Sequence, residues 1–320
     1  MPILQLGSQG QEVMEIQRQL KSLGLYQGPI DGDYGGGTYA SVKAFQQRQG
    51  MEANGKIGPE AWKALTRTEM PTPSIWAEPL DYKCLALTGT IETGKGAPDC
   101  FGAVSGDFDG QGVSYGVCQW NFGQDTLQPL LRKMFERHPD LSRAVFQENL
   151  AVLQEALQKP HGEQMDFVRR TLLNAAGQVI QPWKGMFLSL GRTREFQDIE
   201  KEAAAGIYQA GLELCRTLGL WSERAAALLF DIKVQNGSIK AKTLELILAE
   251  FKTLPAQLTP DEAEVAKMRI VANRRAEDSN PRWVEDVRTR KLAIAEGSGT
   301  VHGLLLDMEQ QFGLKLVKPG

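Results

Sequence analysis

The sequence predicts a mainly α-helical protein: a small three-helix domain, followed by a large all-α domain that carries one short β-hairpin insertion. The chain has 320 residues, which is too long for one small module and favours two domains. Apolar residues recur three and four positions apart along most of it, as on one face of an α-helix. Residues 94–122 break this spacing, because they are rich in glycine and alternate short β-branched and aromatic stretches.

Three helices are expected in the first domain, residues 1–67. Gly24 should end the first helix, because glycine tolerates the left-handed backbone of a C-terminal cap. Thr38 is placed to cap the second helix, and Pro59, directly after Gly58, to occupy the first turn of the third. The apolar residues at helical spacing in the first two helices are Val13, Ile16, Leu20, Val42 and Phe45.

The rest of the chain divides into a linker, residues 68–80, and the large domain, residues 81–320. Three prolines in the linker disfavour an α-helix and give a semi-rigid spacer. Helical spacing appears in the large domain over residues 148–157, 165–173, 196–218, 223–234 and 242–251. An irregular Asp- and Gly-rich insertion in a helical domain is typical of a functional site.

Charge and cysteine content exclude several functions. Lys and Arg number 36 against 39 Asp and Glu, so no nucleic-acid partner is expected, because phosphate binding needs a basic excess. The longest apolar run, Ala225 to Phe230, has six residues, whereas a membrane span needs ~20. No membrane partner is therefore expected. The four cysteines form no CxxC pair and lie far from the three histidines, so we expect no metal and no other cofactor.

Sequence motifs in the first domain have a specific order. They read LxxGSxGxxVxxxQxxL, then PIDGDYGxxTxxxVxxFQ, then GxIGPxxWxxL. This order resembles the peptidoglycan-binding domain of cell-wall hydrolases. The resemblance implies a shallow groove beside the Gly-rich loop, in which Asp31 and Tyr34 contact a glycopeptide. For Asp31 the alternative is that it merely closes a turn.

Two interpretations of the irregular insertion fit poorly. Gly89 to Lys95 has the spacing of a phosphate loop, but Gly96 follows where Ser or Thr must bind magnesium. Asp107 begins a stretch with the spacing of a calcium loop, but Cys118 occupies the twelfth position, where a bidentate Glu is required.

A pair of carboxylates suited to cleaving a glycosidic bond fits better. Glu92 lies at the end of a predicted helix that begins near Leu80, and Asp107 and Asp109 follow 15 and 17 residues later in the hairpin. Cleavage of a glycosidic bond needs one protonated acid for the leaving oxygen and usually a second carboxylate as base or nucleophile. A helix end and a hairpin can hold two such groups on opposite sides of a cleft.

The spacing Glu…Asp-Gly-Xaa-Gly-Xaa-(Ser/Thr)…Gly resembles bacterial chitosanases of the lysozyme-like superfamily. The resemblance implies a lysozyme-like fold for the large domain and an inverting reaction. It makes Glu92 the general acid, Asp109 the general base and Ser114 the residue that holds the attacking water. The stretch LLFDIKVQNG also resembles a helix of that family. Gln111 and Asn236 stand where the family has a basic residue and a histidine, which argues against chitosan as the substrate.

A second resemblance overlaps the first. Glu92 followed by Gly116-Val117-Cys118-Gln119 is similar to the Glu…GLMQ pattern of lytic transglycosylases. Those enzymes use one Glu as acid and base, and both hairpin aspartates would then be structural. Substrate contacts in the large domain are expected from Asp107, Tyr115, Gln119, Trp120, Asn121 and Asp231. The alternatives are that Trp120 anchors the core and that Asp231 is a buried carboxylate with its own partners.

Together these patterns predict a bacteriolytic muramidase that hydrolyses the β-1,4 bond of the peptidoglycan glycan strand. The alternatives are a lytic transglycosylase, a chitosanase and a non-catalytic wall-binding protein. The N-terminus shows no basic region followed by an apolar stretch, so we expect synthesis in the cytoplasm without a signal peptide. The order of domains resembles modular phage endolysins, which implies a monomer that acts on the wall, in the periplasm, after release; a secreted effector is the alternative.

Overall fold

The computed structural model describes residues 3–319 and confirms a mainly α-helical chain with two small antiparallel sheets. Two compact units are present. One contains the chain up to Cys84 together with the chain from Gln209 onward, and the other is Leu85–Tyr208. The division of the chain at residues 67 and 80 stays a prediction.

The α-helices follow one another along the described chain with short connections. They are α1 Gln11–Ser22, α2 Gly36–Arg48, α3 Pro59–Thr66, α4 Leu80–Thr93, α5 Gln128–Arg137, α6 Pro139–Phe146, α7 Asn149–Gln158, α8 His161–Phe167, α9 Trp183–Gly191, α10 Arg194–Leu218, α11 Glu223–Asn236, α12 Ala241–Phe251, α13 Pro260–Glu277, α14 Val284–Glu296 and α15 Met308–Phe312. Short 3-10 turns cover Ser74–Ala77, Asp99–Gly102 and Pro281–Trp283, and a π-helix covers Val168–Leu172.

Two antiparallel sheets interrupt the helices. The first has three two-residue strands in the order β1 Val104–Ser105, β2 Ser114–Tyr115 and β3 Trp120–Asn121. The second pairs β4 Ser298–Val301 with β5 Leu304–Asp307. The predicted hairpin at 94–122 is thus a three-stranded sheet, and no pattern in the sequence indicated the second sheet.

The N-terminal helices form at the predicted places around one apolar core. Gly24 ends α1 at φ +69°, and the Leu25 amide donates to the Leu20 carbonyl at 2.9 Å, as the predicted C-terminal cap requires. The predicted Thr38 cap is wrong, because α2 already begins at Gly36 with Gly35 as its N-terminal cap. The core residues of these helices and their loops include Val13, Ile16, Leu20, Tyr34, Val42, Phe45 and Trp62.

The linker is packed rather than extended into solvent. Its 3-10 turn places Trp76 against Gly313, where an added Cβ would lie 3.0 Å from the indole. The Trp76 indole N–H donates to the Gln310 carbonyl at 3.4 Å, and the Lys315 ammonium lies 4.8 Å from the centre of one of its rings. These contacts fix the linker to the C-terminal residues of the same unit.

The predicted helices of the large domain are present, with one difference. Residues 165–173 do not form one α-helix, because α8 ends at Phe167 and continues as the π-helix. Among residues 3–319, no helix is both long enough and apolar enough to cross a membrane.

Candidate active site

The C-terminal end of α4 packs on the three-stranded sheet. Gly89 makes this approach possible, since a Cβ there would lie 2.6 Å from Val117 Cγ1 and 3.2 Å from Cys100 Cβ. Val117 lies between β2 and β3, so α4 contacts the turn that joins these strands. Glu92 stands in the last turn of α4, three residues beyond Gly89, with an exposed side chain. Glu92 therefore lies one helical turn beyond the contact between α4 and the turn that joins β2 and β3.

The loop between β1 and β2 is held by both predicted hairpin aspartates. Asp107 Oδ1 accepts the Gly112 amide at 3.1 Å, and Asp109 Oδ1 accepts the Gln111 amide at 3.1 Å. The Asp107 amide in turn donates to the Gly177 carbonyl at 2.8 Å. Asp109 is exposed and Asp107 is half-buried. The loop is thus rigid, with the Asp109 carboxyl at its surface.

A row of polar side chains crosses one face of the sheet. Ser114 pairs with Ser105 on one side and with Asn121 on the other, and directly opposed residues of antiparallel strands share a face. Next to the row, Gln119 has a left-handed backbone, φ +53°. Its side chain accepts the Ser105 hydroxyl at 3.0 Å and donates to the Gly116 carbonyl at 2.8 Å. The loop that carries Asp107 and Asp109, called the aspartate loop below, begins after Ser105 and ends before Ser114. Ser114 and Gln119, which is bonded to Ser105, are both half-buried beside its two ends.

Trp120 and Asn121 belong more to the core than to a surface. Trp120 is only 9% exposed, which favours the core-anchor alternative over a stacking platform. Asn121 Oδ1 accepts the Gln124 amide at 2.8 Å, so its side chain closes a local turn.

Tyr115 and Tyr34 correct the predicted set, because both rings are buried. The Tyr115 hydroxyl donates to the Phe187 carbonyl at 2.6 Å, and its ring packs 5.0 Å from that of Phe187 and 5.3 Å from that of Phe196. Tyr34 is 1% exposed and donates to the Gly55 carbonyl at 3.1 Å. Alternation along a strand does not tell which face points inward, so the sequence could not exclude Tyr115.

Asp231 is also buried, in an ion-pair cluster on α11 and α14. Its carboxylate accepts from Arg290 Nη2 at 2.6 Å and from the Lys291 ammonium. Burial raises the pKa of Asp231, but the adjacent Arg290 and Lys291 cations outweigh burial and hold that pKa well below its usual range. This placement corrects the predicted substrate contact and matches the structural alternative.

Asp31 closes a turn, as its structural alternative states, and its contact with a glycopeptide stays a prediction. Its Oδ1 accepts the Asp33 amide at 3.0 Å, which closes a turn, and the Gln17 amide group at 2.7 Å. The exposed Asp31 also lines a groove of about 470 Å³, together with Tyr26 and Thr38. The buried Gln17 side chain holds Asp31 at the edge of this groove through that hydrogen bond.

Glu200 was missed by the sequence analysis. It lies fully buried on α10, and its Oε2 accepts the Val117 amide at 3.4 Å. Burial raises the pKa of Glu200 well above its usual value, although the bond from Val117 lowers it. A signal was available: Phe196, Glu200 and Ala204 follow one another at four-residue spacing, which puts a carboxyl on the apolar face of α10.

The described residues contain no group of three or more His, Cys, Asp or Glu side chains arranged to hold a metal ion. Cys84, Cys100 and Cys215 are buried thiols. Burial is the main cause that raises the pKa of Cys215 to about 12, so this thiol is unreactive at neutral pH.

Comparison with known proteins identifies the N-terminal segment. Residues 9–65 match the family described as putative peptidoglycan binding domain. The spore cortex-lytic enzyme of Halalkalibacterium halodurans is 39% identical over 66 residues, and that of Oceanobacillus iheyensis 45% identical over 56 residues. These matches cover 21% and 18% of this chain and 20% of each relative's length. An N-acetylmuramoyl-L-alanine amidase of Mycobacterium tuberculosis is 36% identical over 56 residues, 18% of this chain and 14% of its own length.

Solved structures of chitosanases are similar over a larger part of the chain. A chitosanase from Bacillus subtilis MY002 has 15% identity and a TM-score of 0.43 over 69% of this chain and 88% of its own. A GH46 chitosanase from Gynuella sunshinyii has 11% identity and a TM-score of 0.43 over 74% of this chain and 98% of its own. Similarity at this level leaves the reaction and the substrate of this chain undetermined.

Proposed function

We propose that this protein is a cell-wall lytic glycoside hydrolase, a muramidase that cuts the β-1,4 bond between N-acetylmuramic acid and N-acetylglucosamine. The peptidoglycan-binding segment at residues 9–65 supports the wall as its substrate. The carboxylates near the three-stranded sheet support glycoside hydrolysis. We assign residues 1–67 to wall binding and residues 81–320 to catalysis.

In the proposed reaction Glu92 donates a proton to the glycosidic oxygen as the bond to the anomeric carbon breaks. Asp109 removes a proton from a water molecule, whose oxygen attacks that carbon from the opposite face of the ring. Ser114 orients this water, and Gln119 contacts the sugar from the same face of the sheet. Each proton is accounted for: one leaves Glu92, and one arrives on Asp109.

One observation carries this proposal: the part of α4 beyond Leu85 and the aspartate loop both meet the three-stranded sheet, within the unit Leu85–Tyr208. The Gln111 amide donates to the Asp109 carboxylate and the Gly112 amide to the Asp107 carboxylate, so both carboxylates are held by their own loop. Preorganised acid and base groups lower the barrier because they need no rearrangement during the reaction.

A lytic transglycosylase is the second candidate, and a specific observation favours it. Asp107 and Asp109 each accept a backbone amide within their own loop, as expected if both are turn-forming residues. Glu92 would then act alone, first as acid and then as base, while the 6-hydroxyl of the substrate closes a 1,6-anhydro ring.

The route to the wall belongs to the same proposal. We propose a monomeric endolysin-like protein that is made in the cytoplasm and acts on the periplasmic wall after release or delivery. Peptidoglycan is its partner; the proposal needs no nucleic acid, membrane or cofactor.

Mass spectrometry of soluble products from purified peptidoglycan tests the proposal, with Glu92→Gln as the blank. A reducing N-acetylmuramic acid end is expected, and Asp109→Asn should then be inactive while Asp107→Asn keeps activity. A 1,6-anhydro end would establish the transglycosylase instead. Retained wall binding without any sugar product would leave a non-catalytic protein, and release of glucosamine oligomers from chitosan would identify a chitosanase.

A further inference from the structure

A cavity of about 400 Å³ lies directly beside the aspartate loop, in the unit Leu85–Tyr208. Asp107 forms one side of it, and the turn at residues 173–177 together with Arg169 forms the other. This volume lies within the range of small-molecule sites in proteins and suits about one N-acylated sugar ring. Neither proposed catalytic carboxyl lines the cavity, so it is separate from the reacting groups and adjacent to them.

The walls of the cavity are preformed. The Asp107 amide bonds the Gly177 carbonyl at 2.8 Å, and Gly106 approaches that carbonyl so closely that a Cβ would lie 1.8 Å from it. Asn174 Oδ1 accepts the amides of Ala176 and Gln178 at 2.9 and 3.0 Å, which fixes the turn from within. A ligand would therefore meet a rigid surface and lose little affinity to its ordering.

Arg169 gives the cavity a cation. It lies in the π-helix Val168–Leu172, and such segments are rare and frequent at functional sites. Its side chain is half-exposed, and among residues 3–319 its ion-pair partner is Asp166 at 3.9 Å, too far for a hydrogen bond. The guanidinium thus retains donors for an anionic ligand.

We infer that this cavity is a saccharide subsite in which Arg169 binds a carboxylate carried by an N-acetylmuramoyl unit. The inference rests on the proposed function and names the substrate class of the same site. A guanidinium binds carboxylates through two parallel hydrogen bonds, and it repels the ammonium groups of a glucosamine polymer. Arg169 therefore selects peptidoglycan over chitosan.

Two ligands of equal length test the inference, both bound to the full chain carrying Glu92→Gln so that neither is cleaved. One is the tetrasaccharide of alternating N-acetylglucosamine and N-acetylmuramic acid, whose lactyl carboxylates are free. The other is neutral tetra-N-acetylchitotetraose. Isothermal titration should show that Arg169→Ala weakens binding of the first about tenfold, as expected for a lost charge-assisted bond, and leaves the second unchanged.

Arg170→Ala is the matched control, since the exposed neighbour does not line the cavity. Any binding of the ligand at the N-terminal groove is the same in both variants. The difference in affinity between Arg169→Ala and Arg170→Ala therefore measures binding at the cavity. Arg169→Lys should recover part of the loss. A further titration with the stem peptide attached to the lactyl group tells whether a peptide carboxylate can take the same place.

The inference is overturned if Arg169→Ala changes neither affinity, if it weakens both ligands equally, or if Arg170→Ala has the same effect. It is also overturned if the chain that carries Glu92→Gln alone binds the two tetrasaccharides with equal affinity. These outcomes are separate from those of the proposed function. A wild-type chain that releases no sugar, yet shows the Arg169-dependent difference, would fail as a hydrolase while keeping the subsite.

Discussion

Glu200 shows how a single buried carboxyl shapes the surroundings of the candidate site. It fills the space behind Gly116 and Val117, and within the described residues its Oε1 has no hydrogen-bond partner. Burial is the main cause that raises the pKa of Tyr115 and of Cys100, and a charge on nearby Glu200 raises both further. The neutral acid is thus the form that suits this environment.

The raised pKa of Glu200 predicts a pH-dependent difference between the wild type and Glu200→Gln. The folded state binds a proton that the unfolded state releases above its carboxyl pKa, so the free energy of unfolding falls as pH rises through that region. The uncharged Gln side chain of Glu200→Gln does not titrate, so it contributes no such dependence of the free energy of unfolding on pH. Urea unfolding at several pH values should therefore show that Glu200→Gln gains stability over the wild type from about pH 4.5 upward.

Glu202→Gln on the same helix is the control, because hydrogen bonds from Arg137 and Lys133 lower the pKa of exposed Glu202. Its stability difference from the wild type should have the opposite sign. Parallel slopes for Glu200→Gln and the wild type would contradict a protonated buried acid.

Removing the Asp231 carboxylate should lower the free energy of unfolding, whereas Glu200→Gln is expected to raise it. Asp231→Asn leaves Arg290 and Lys291 buried without their counter-charge, which typically lowers the free energy of unfolding by about 3–5 kcal/mol. The folded pKa is lowered, so the contribution of this carboxylate is present above its unfolded pKa and is lost as pH falls through the folded pKa. Denaturant unfolding at neutral pH measures the loss. Asp140→Asn is the control: its exposed carboxylate pairs with Arg143 at the surface, so its removal should change little.

At the scale of elements, the turn between β2 and β3 is tightly constrained at Gly116. Its φ is +76°, and a Cβ there would lie 2.0 Å from Glu200 Oε1. Gly110 has a similar φ of +84° but open space around it. Gly116→Ala should therefore lower stability by about 1–3 kcal/mol more than Gly110→Ala, because only the former adds overpacking to backbone strain.

Thermal unfolding of both glycine variants gives this comparison. The double variant Gly116→Ala with Glu200→Ala should recover part of the loss, since it removes the carboxyl that collides with the new methyl group. Equal losses at the two glycines would mean that the backbone alone sets the cost.

The elements also show how far the sequence predicts the structure. Helical periodicity located α1 and α10, because each buries one apolar stripe. Pro59 after Gly58 located the start of α3. The second sheet was not predicted, because β4 and β5 are only four residues long. They lie in a Gly-rich stretch in which apolar and polar residues do not clearly alternate.

In the candidate site, the helix end that carries Glu92 and the loop that carries Asp109 were predictable from local pattern. The burial of Tyr115 was not, because it depends on Phe187 and Phe196, which are distant in sequence. The same holds for Arg169, whose place beside Asp107 results from a turn about 70 residues further along the chain.

At the scale of the whole molecule, the N-terminal segment is more than a tethered module. The Ile3 amide donates to Gln310 Oε1 at 2.8 Å, and Trp76 packs on Gly313. A docked linker resists proteases because its backbone must first open. Trp76→Ala should therefore speed cleavage within residues 68–80 severalfold and lower the melting temperature.

Limited proteolysis followed by mass spectrometry locates these cuts. Trp283→Ala is the matched control, because that indole is 51% exposed and its cation–π partner, Arg282, is its own neighbour. Equal cleavage rates in the wild type and Trp76→Ala would show that the linker is already open in solution.

The approach of Gly7 to β5 has a consequence for engineering by module exchange. A Cβ on Gly7 would lie 2.4 Å from the Leu305 carbonyl oxygen, so the two segments are shaped to each other. In a chimaera whose N-terminal domain comes from another protein, a residue larger than glycine at this position would collide with the Leu305 carbonyl oxygen. A design that transfers this N-terminal domain to another protein should therefore include the β4–β5 hairpin and α15 as part of the same unit.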